Sequence, residues 1–152
     1  MDLLGRKITA KNGKALELLA VEIQETIKTA AAFDELQPYA NTLLENLSLV
    51  QKVIGTLMPH AMKGNYERFL ADATVFMDFF GTIVIGWQWL KTATTAKQLL
   101  KDESGTQLNE FYESKIHTMK FFYTYEMTRT RGLAKTIMNT EELTILASKE
   151  MF

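Results

Sequence analysis

Long stretches without a helix breaker constrain this chain more than any other feature. Two prolines and eight glycines are spread over 152 residues. Between them, apolar side chains recur at three- and four-residue spacing, the period of one face of an α-helix. Lys63-Gly64-Asn65 and Asp102-Glu103-Ser104-Gly105 are the clear interruptions. The pattern predicts four long helices over roughly 12–33, 36–61, 66–101 and 107–127, the last with a possible continuation to 138, and a short terminal helix over 141–150. Leu16, Leu19, Ile23, Ile27 and Ala30 form the first stripe, and Ala40, Leu43, Leu47, Val50, Ile54 and Leu57 the second. Asp34 is expected to cap the second helix, with Pro38 in its first turn. Short connections make sequential helices antiparallel neighbours. The predicted fold is therefore all-α: an up-and-down four-helix bundle with a short C-terminal helix. No internal repeat is visible.

The third and fourth helices carry more apolar surface than a four-helix bundle buries. At about 100° per residue, Phe76, Phe79, Phe80, Ile83, Val84, Trp87 and Leu90 share one wide face. Val75, Ile85 and Trp89 fall on the other side, beside Asp78 and Thr82. In the fourth helix Tyr112, Ile116, Met119, Tyr123 and Met127 share a face, while Phe111, Phe121, Phe122 and Tyr125 spread over another. A bundle helix buries only one stripe, so the remainder points to a further cover. The expected docking surface is Val75, Ile85 and Trp89 of the third helix with Phe121 and Tyr125 of the fourth.

Composition removes several function classes. Net charge is −1, with no basic excess for nucleic acid. No cysteine is present, which rules out disulfides and thiolate metal sites. Residues 1–20 hold Asp2, Arg6, Lys7, Lys11, Lys14 and Glu17 and no apolar centre, so no signal peptide is read and a cytoplasmic location is the expectation. The longest apolar run, 73–90, is interrupted by Asp78 and Gln88 and reads as a buried helix rather than a membrane span.

No catalytic, cofactor-binding or metal residue is read from the pattern. A di-iron bundle needs Glu-x-x-His pairs, and neither His60 nor His117 has Glu three residues earlier. Glu113 and His117 are four apart on a polar stripe, as a solvated pair would be. Ser48, Ser104, Ser114 and Ser148 lie outside any Gly-x-Ser-x-Gly setting. Asp102-Glu103 and Glu141-Glu142 sit at loops or helix starts, where negative charge suits the helix dipole. Gly81 and Gly86 are expected to allow close backbone approach or a mild kink. Lys120, Arg129, Arg131 and Lys135 read as a solvated helix end.

The opening heptad Met1-Asp2-Leu3-Leu4-Gly5-Arg6-Lys7 resembles the segment just after the catalytic motif of long acyl-CoA dehydrogenases. In that family the preceding run Tyr-Glu-Gly-Thr-Asn-Gly-Ile-Gln supplies the Glu that removes a proton next to the thioester. Some long members continue into a helical C-terminal domain. Gly81-Thr82-Ile83-Val84-Ile85-Gly86-Trp87 resembles the glycine-and-tryptophan stretch of that domain's third helix. Lys120-Phe121-Phe122-Tyr123-Thr124-Tyr125-Glu126-Met127 resembles the aromatic segment of its fourth, and Thr128-Arg129-Thr130-Arg131-Gly132-Leu133 the loop after it, where relatives often have proline at the place of Thr128.

The resemblance implies that 1–10 end a preceding dehydrogenase domain or form a linker, and that 11–152 form the C-terminal helical bundle. It places the catalytic Glu and the flavin contacts before residue 1. FAD is then expected in the parent enzyme and no cofactor in this part. The implied role is a non-catalytic accessory domain of a fatty-acyl-CoA-oxidising flavoenzyme, serving interdomain packing and oligomer assembly, with homodimerisation as the expected self-association. Its expected partners are the preceding dehydrogenase domain of the same chain and a second copy of itself. Some relatives are membrane-associated, but no residue pattern here supports it. Two alternatives stand beside this reading: a stand-alone helical adaptor with a partner-helix groove, and a small-ligand bundle with a pocket among Phe76, Phe80, Trp87 and Tyr123.

Overall fold

The computed structural model describes residues 14–102 and 108–139, and among these every regular element is helical. The opening heptad, the Glu103-Ser104-Gly105 part of the second break and the terminal helix expected over 141–150 lie outside the described residues. Helix α1 is Lys14–Ala31, α2 Gln37–Met62, α3 Tyr66–Leu70, α4 Ala73–Asp102, α5 Leu108–Tyr125 and α6 Thr130–Ile137, with a 3-10 turn Met127–Arg129 before α6. The architecture is an all-α helical bundle with α4 at its centre: α1, α2, α5 and α6 all pack on it.

Local chemistry explains where these helices stop. After α2, Gly64 adopts φ +76°, and the Asn65 amide bonds the His60 carbonyl at 2.9 Å while the Gly64 amide bonds that of Ala61 at 3.1 Å. These two bonds make a Schellman ending, for which glycine is the low-cost residue. Asn65 then caps α3, its side-chain oxygen accepting from the Arg68 amide at 3.1 Å. The single helix expected over 66–101 is divided at Ala71 and Asp72. There the buried Arg68 guanidinium reaches Asp72 at 3.4 Å and also donates to the Asn139 carbonyl, tying the start of α4 to the end of α6.

Asp34 is not the cap of α2. Leu36 occupies that position and gives no side-chain cap bond. It is fully buried, and the Phe33 carbonyl instead accepts from the Leu36 and Gln37 amides at 2.9 and 3.0 Å. Burying a leucine there outweighs a carboxylate cap worth about 1 kcal/mol. Pro38 does fall in the first turn.

The core follows the predicted stripes. Ile23 and Ala30 of α1 and Ala40, Leu43, Leu47, Val50, Val53 and Leu57 of α2 are buried. From α4 they meet Phe76, Phe79, Phe80, Ile83, Trp87 and Leu90. By length and composition α4 could cross a membrane over Ala73–Lys101, at mean hydropathy 1.2. Its aromatic face lies at the centre of this bundle. Phe76 and Phe80 stack at 5.8 Å, and Trp87 donates its indole N–H to the Thr26 hydroxyl at 2.8 Å. Tyr123 is buried as well, so all four residues named for the small-ligand pocket belong to the core.

Among the described glycines, Gly86 makes the closest approach. A Cβ there would stand 2.6 Å from the Met127 sulfur, and the Tyr123 hydroxyl donates to the Gly86 carbonyl at 3.1 Å. Gly81 differs, since a Cβ there would meet nothing within 4 Å.

Candidate docking surface

The aromatic excess of α5 is arranged by helix geometry. Phe121 and Tyr125 lie two residues either side of Tyr123, about 200° around the axis from it. Tyr123 is buried toward α4, so Phe121 and Tyr125 face outward. Their rings meet at 4.6 Å between centroids, tilted by 38°. They are 54% and 61% exposed, and Ile85 on α4 is 49% exposed.

The remaining predicted docking residues are placed differently. Trp89 stands one turn beyond Ile85 and is half-buried against the core. Val75 is also half-buried and lies about 15 Å back along α4 from Ile85. Ile85, Phe121 and Tyr125 thus present free apolar area, while Val75 and Trp89 contribute edges. Met77, also exposed on α4, extends the apolar outer surface. It could have been found by the same periodicity, since it is apolar and off the aromatic face.

The polar neighbourhood is ordered by one carboxylate. Glu35, in the α1–α2 turn, accepts from Lys120 of α5 at 2.6 Å and pairs with Lys97 of α4. The Lys120 and Lys97 ammonium groups hold the Glu35 carboxyl below its usual range, in that order of effect. The same bond holds Lys120 above the usual lysine range. Burial pushes the Tyr123 phenol up. Of the residues read as a solvated helix end, Arg129 pairs with Glu126 at 2.8 Å and Arg131 with Glu45 at 2.9 Å, both arginines exposed. Sequence reasoning missed the Glu35 clasp because its members come from three separate elements. No local signal marked it, since Lys97 is one of three lysines on α4.

Beside the clasp opens a cleft of about 660 Å³ lined by Glu110, Glu113, His117 and the three clasp residues. Among the described residues no group of three or more His, Asp or Glu is placed to hold a metal ion. Glu113 and His117 are both exposed.

Residues 19–147 match the family described as acetyl-CoA dehydrogenase C-terminal like. No curated protein and no solved structure gives a significant match.

Proposed function

This chain belongs to the acetyl-CoA dehydrogenase C-terminal-like family, and from that premise we propose that it is a non-catalytic packing domain of an acyl-CoA dehydrogenase. Its work is to dock on the dehydrogenase body and to join copies of the assembly. The observation that carries this reading is the exposure of Ile85, Phe121 and Tyr125 outside the buried core. Such area is costly in water and gains about 25 cal/mol per Å² when covered.

In this reading the flavin chemistry belongs to the dehydrogenase body. No residue here is therefore assigned to a flavin, and no reaction step runs through this domain.

The test is sedimentation of the 152-residue chain at tens of micromolar. The wild type is expected to self-associate, and the variant Ile85→Ser/Phe121→Ser/Tyr125→Ser to sediment as a monomer with unchanged helicity. A wild type that stays monomeric, or a variant that associates as strongly, contradicts the proposed surface. The purified chain is also expected to be colourless and without dehydrogenase activity; stoichiometric flavin on it would overturn the non-catalytic role.

A further inference from the structure

A second groove runs along the seam of α4 and α5, away from the Glu35 clasp. It holds about 330 Å³, and none of its lining residues is acidic. Ala96 and Leu99 of α4 with Phe111 and Tyr112 of α5 give it apolar walls. Lys91 and Lys115 stand on its rim. The Lys91 ammonium lies 5.7 Å from the Trp87 ring and the Lys115 ammonium 4.5 Å from the Phe111 ring. Neither lysine has a carboxylate partner among the described residues. In this they differ from Lys97 and Lys120, which both pair with the Glu35 carboxylate.

The groove is polar at one end and apolar at the other. The helices are antiparallel, with Tyr123 opposite Gly86. Lys115 is therefore level with about residue 94 of α4, near Lys91, and Phe111 with about residue 98, near Leu99. The Thr92 and Thr95 hydroxyls donate to the Gln88 and Lys91 carbonyls at 2.9 and 3.2 Å. Their protons are spent, so the cationic end offers chiefly two ammonium groups. Size selects among occupants. The stretch from Gln88 to Leu99 is roughly 16 Å long, and a helix about 10 Å across would need roughly four times the volume present. A volume near 300 Å³ is instead at the lower end for small-molecule sites.

We propose that this groove binds a small anion with an apolar body. Its carboxylate, sulfonate or phosphate head pairs with Lys91 and Lys115, and its hydrocarbon lies along Leu99, Phe111 and Tyr112. This site is independent of the docking surface and stands or falls separately from it.

The test uses the full chain with two fluorescent probes of one body: 8-anilinonaphthalene-1-sulfonate and its neutral parent N-phenyl-1-naphthylamine. The sulfonate is expected to bind saturably and more tightly than the neutral amine. Lys91→Gln/Lys115→Gln should weaken the sulfonate about tenfold or more while leaving the amine and the circular dichroism unchanged. Phe121→Ser/Tyr125→Ser should leave sulfonate binding intact. Absence of saturable binding, equal affinity for the two probes, an unaffected lysine double variant, or loss of binding in the Phe121/Tyr125 variant would each overturn the site.

Discussion

A methyl group at position 86 would press on the sulfur of Met127, so this buried thioether has to move to admit it. Overpacking of that kind costs about 1–3 kcal/mol, against a helix-propensity gain of about 1 kcal/mol when glycine becomes alanine. Gly86→Ala is therefore expected to lower stability. Gly81→Ala meets open space in the same helix, so it keeps the propensity gain and should raise stability by up to about 1 kcal/mol. Thermal unfolding of the two variants checks both signs; equal shifts would place the Met127 contact elsewhere. Both glycines were visible in the sequence as interruptions of an apolar helix. Their difference was not, because it depends on a residue 41 positions after Gly86 that only the fold brings against it.

Among elements, the clasp joins the α1–α2 turn to both α4 and α5. Its pH window follows from its two shifted groups. Glu35 is held below its ordinary value, so its contribution is present above the carboxylate range and is lost as pH falls through the folded value. Lys120 is held above its ordinary value, so its contribution is complete below the lysine range and is lost only as pH rises through the folded value. The clasp is whole at neutral pH. Both side chains are more than a third exposed, at 40% for Glu35 and 38% for Lys120, so water and salt screen the pair and its worth is about 1 kcal/mol or less. Glu35→Gln should thus cost little near pH 7, and the gap from wild type should close in acid and in high salt. A gap that persists in acid would mean the side chain acts by packing. Helix positions and buried stripes were legible from residue spacing alone, because periodicity is local. The clasp, the Trp87–Thr26 bond and the Asn46–Thr130 contact at 2.6 Å were not, since each joins residues 61 or more positions apart.

For the molecule as a whole, the same aromatic excess serves two ends. One face of α4 and α5 fills the core, and the outer residues Ile85, Phe121 and Tyr125 remain exposed. The surplus was readable in the sequence, because too many apolar positions occurred per turn. Which of them stay exposed was not, since half-burial of Val75 and Trp89 depends on neighbouring helices. A packing domain accounts for a surface of this kind without a catalytic group in its reach. The most direct test is the native mass and visible spectrum of the protein that carries this sequence in its source cells. The account predicts a yellow species much heavier than the 17.3 kDa of this chain, with the chain joined to or held on a flavin-bearing body. A free, colourless protein of 17.3 kDa would contradict it.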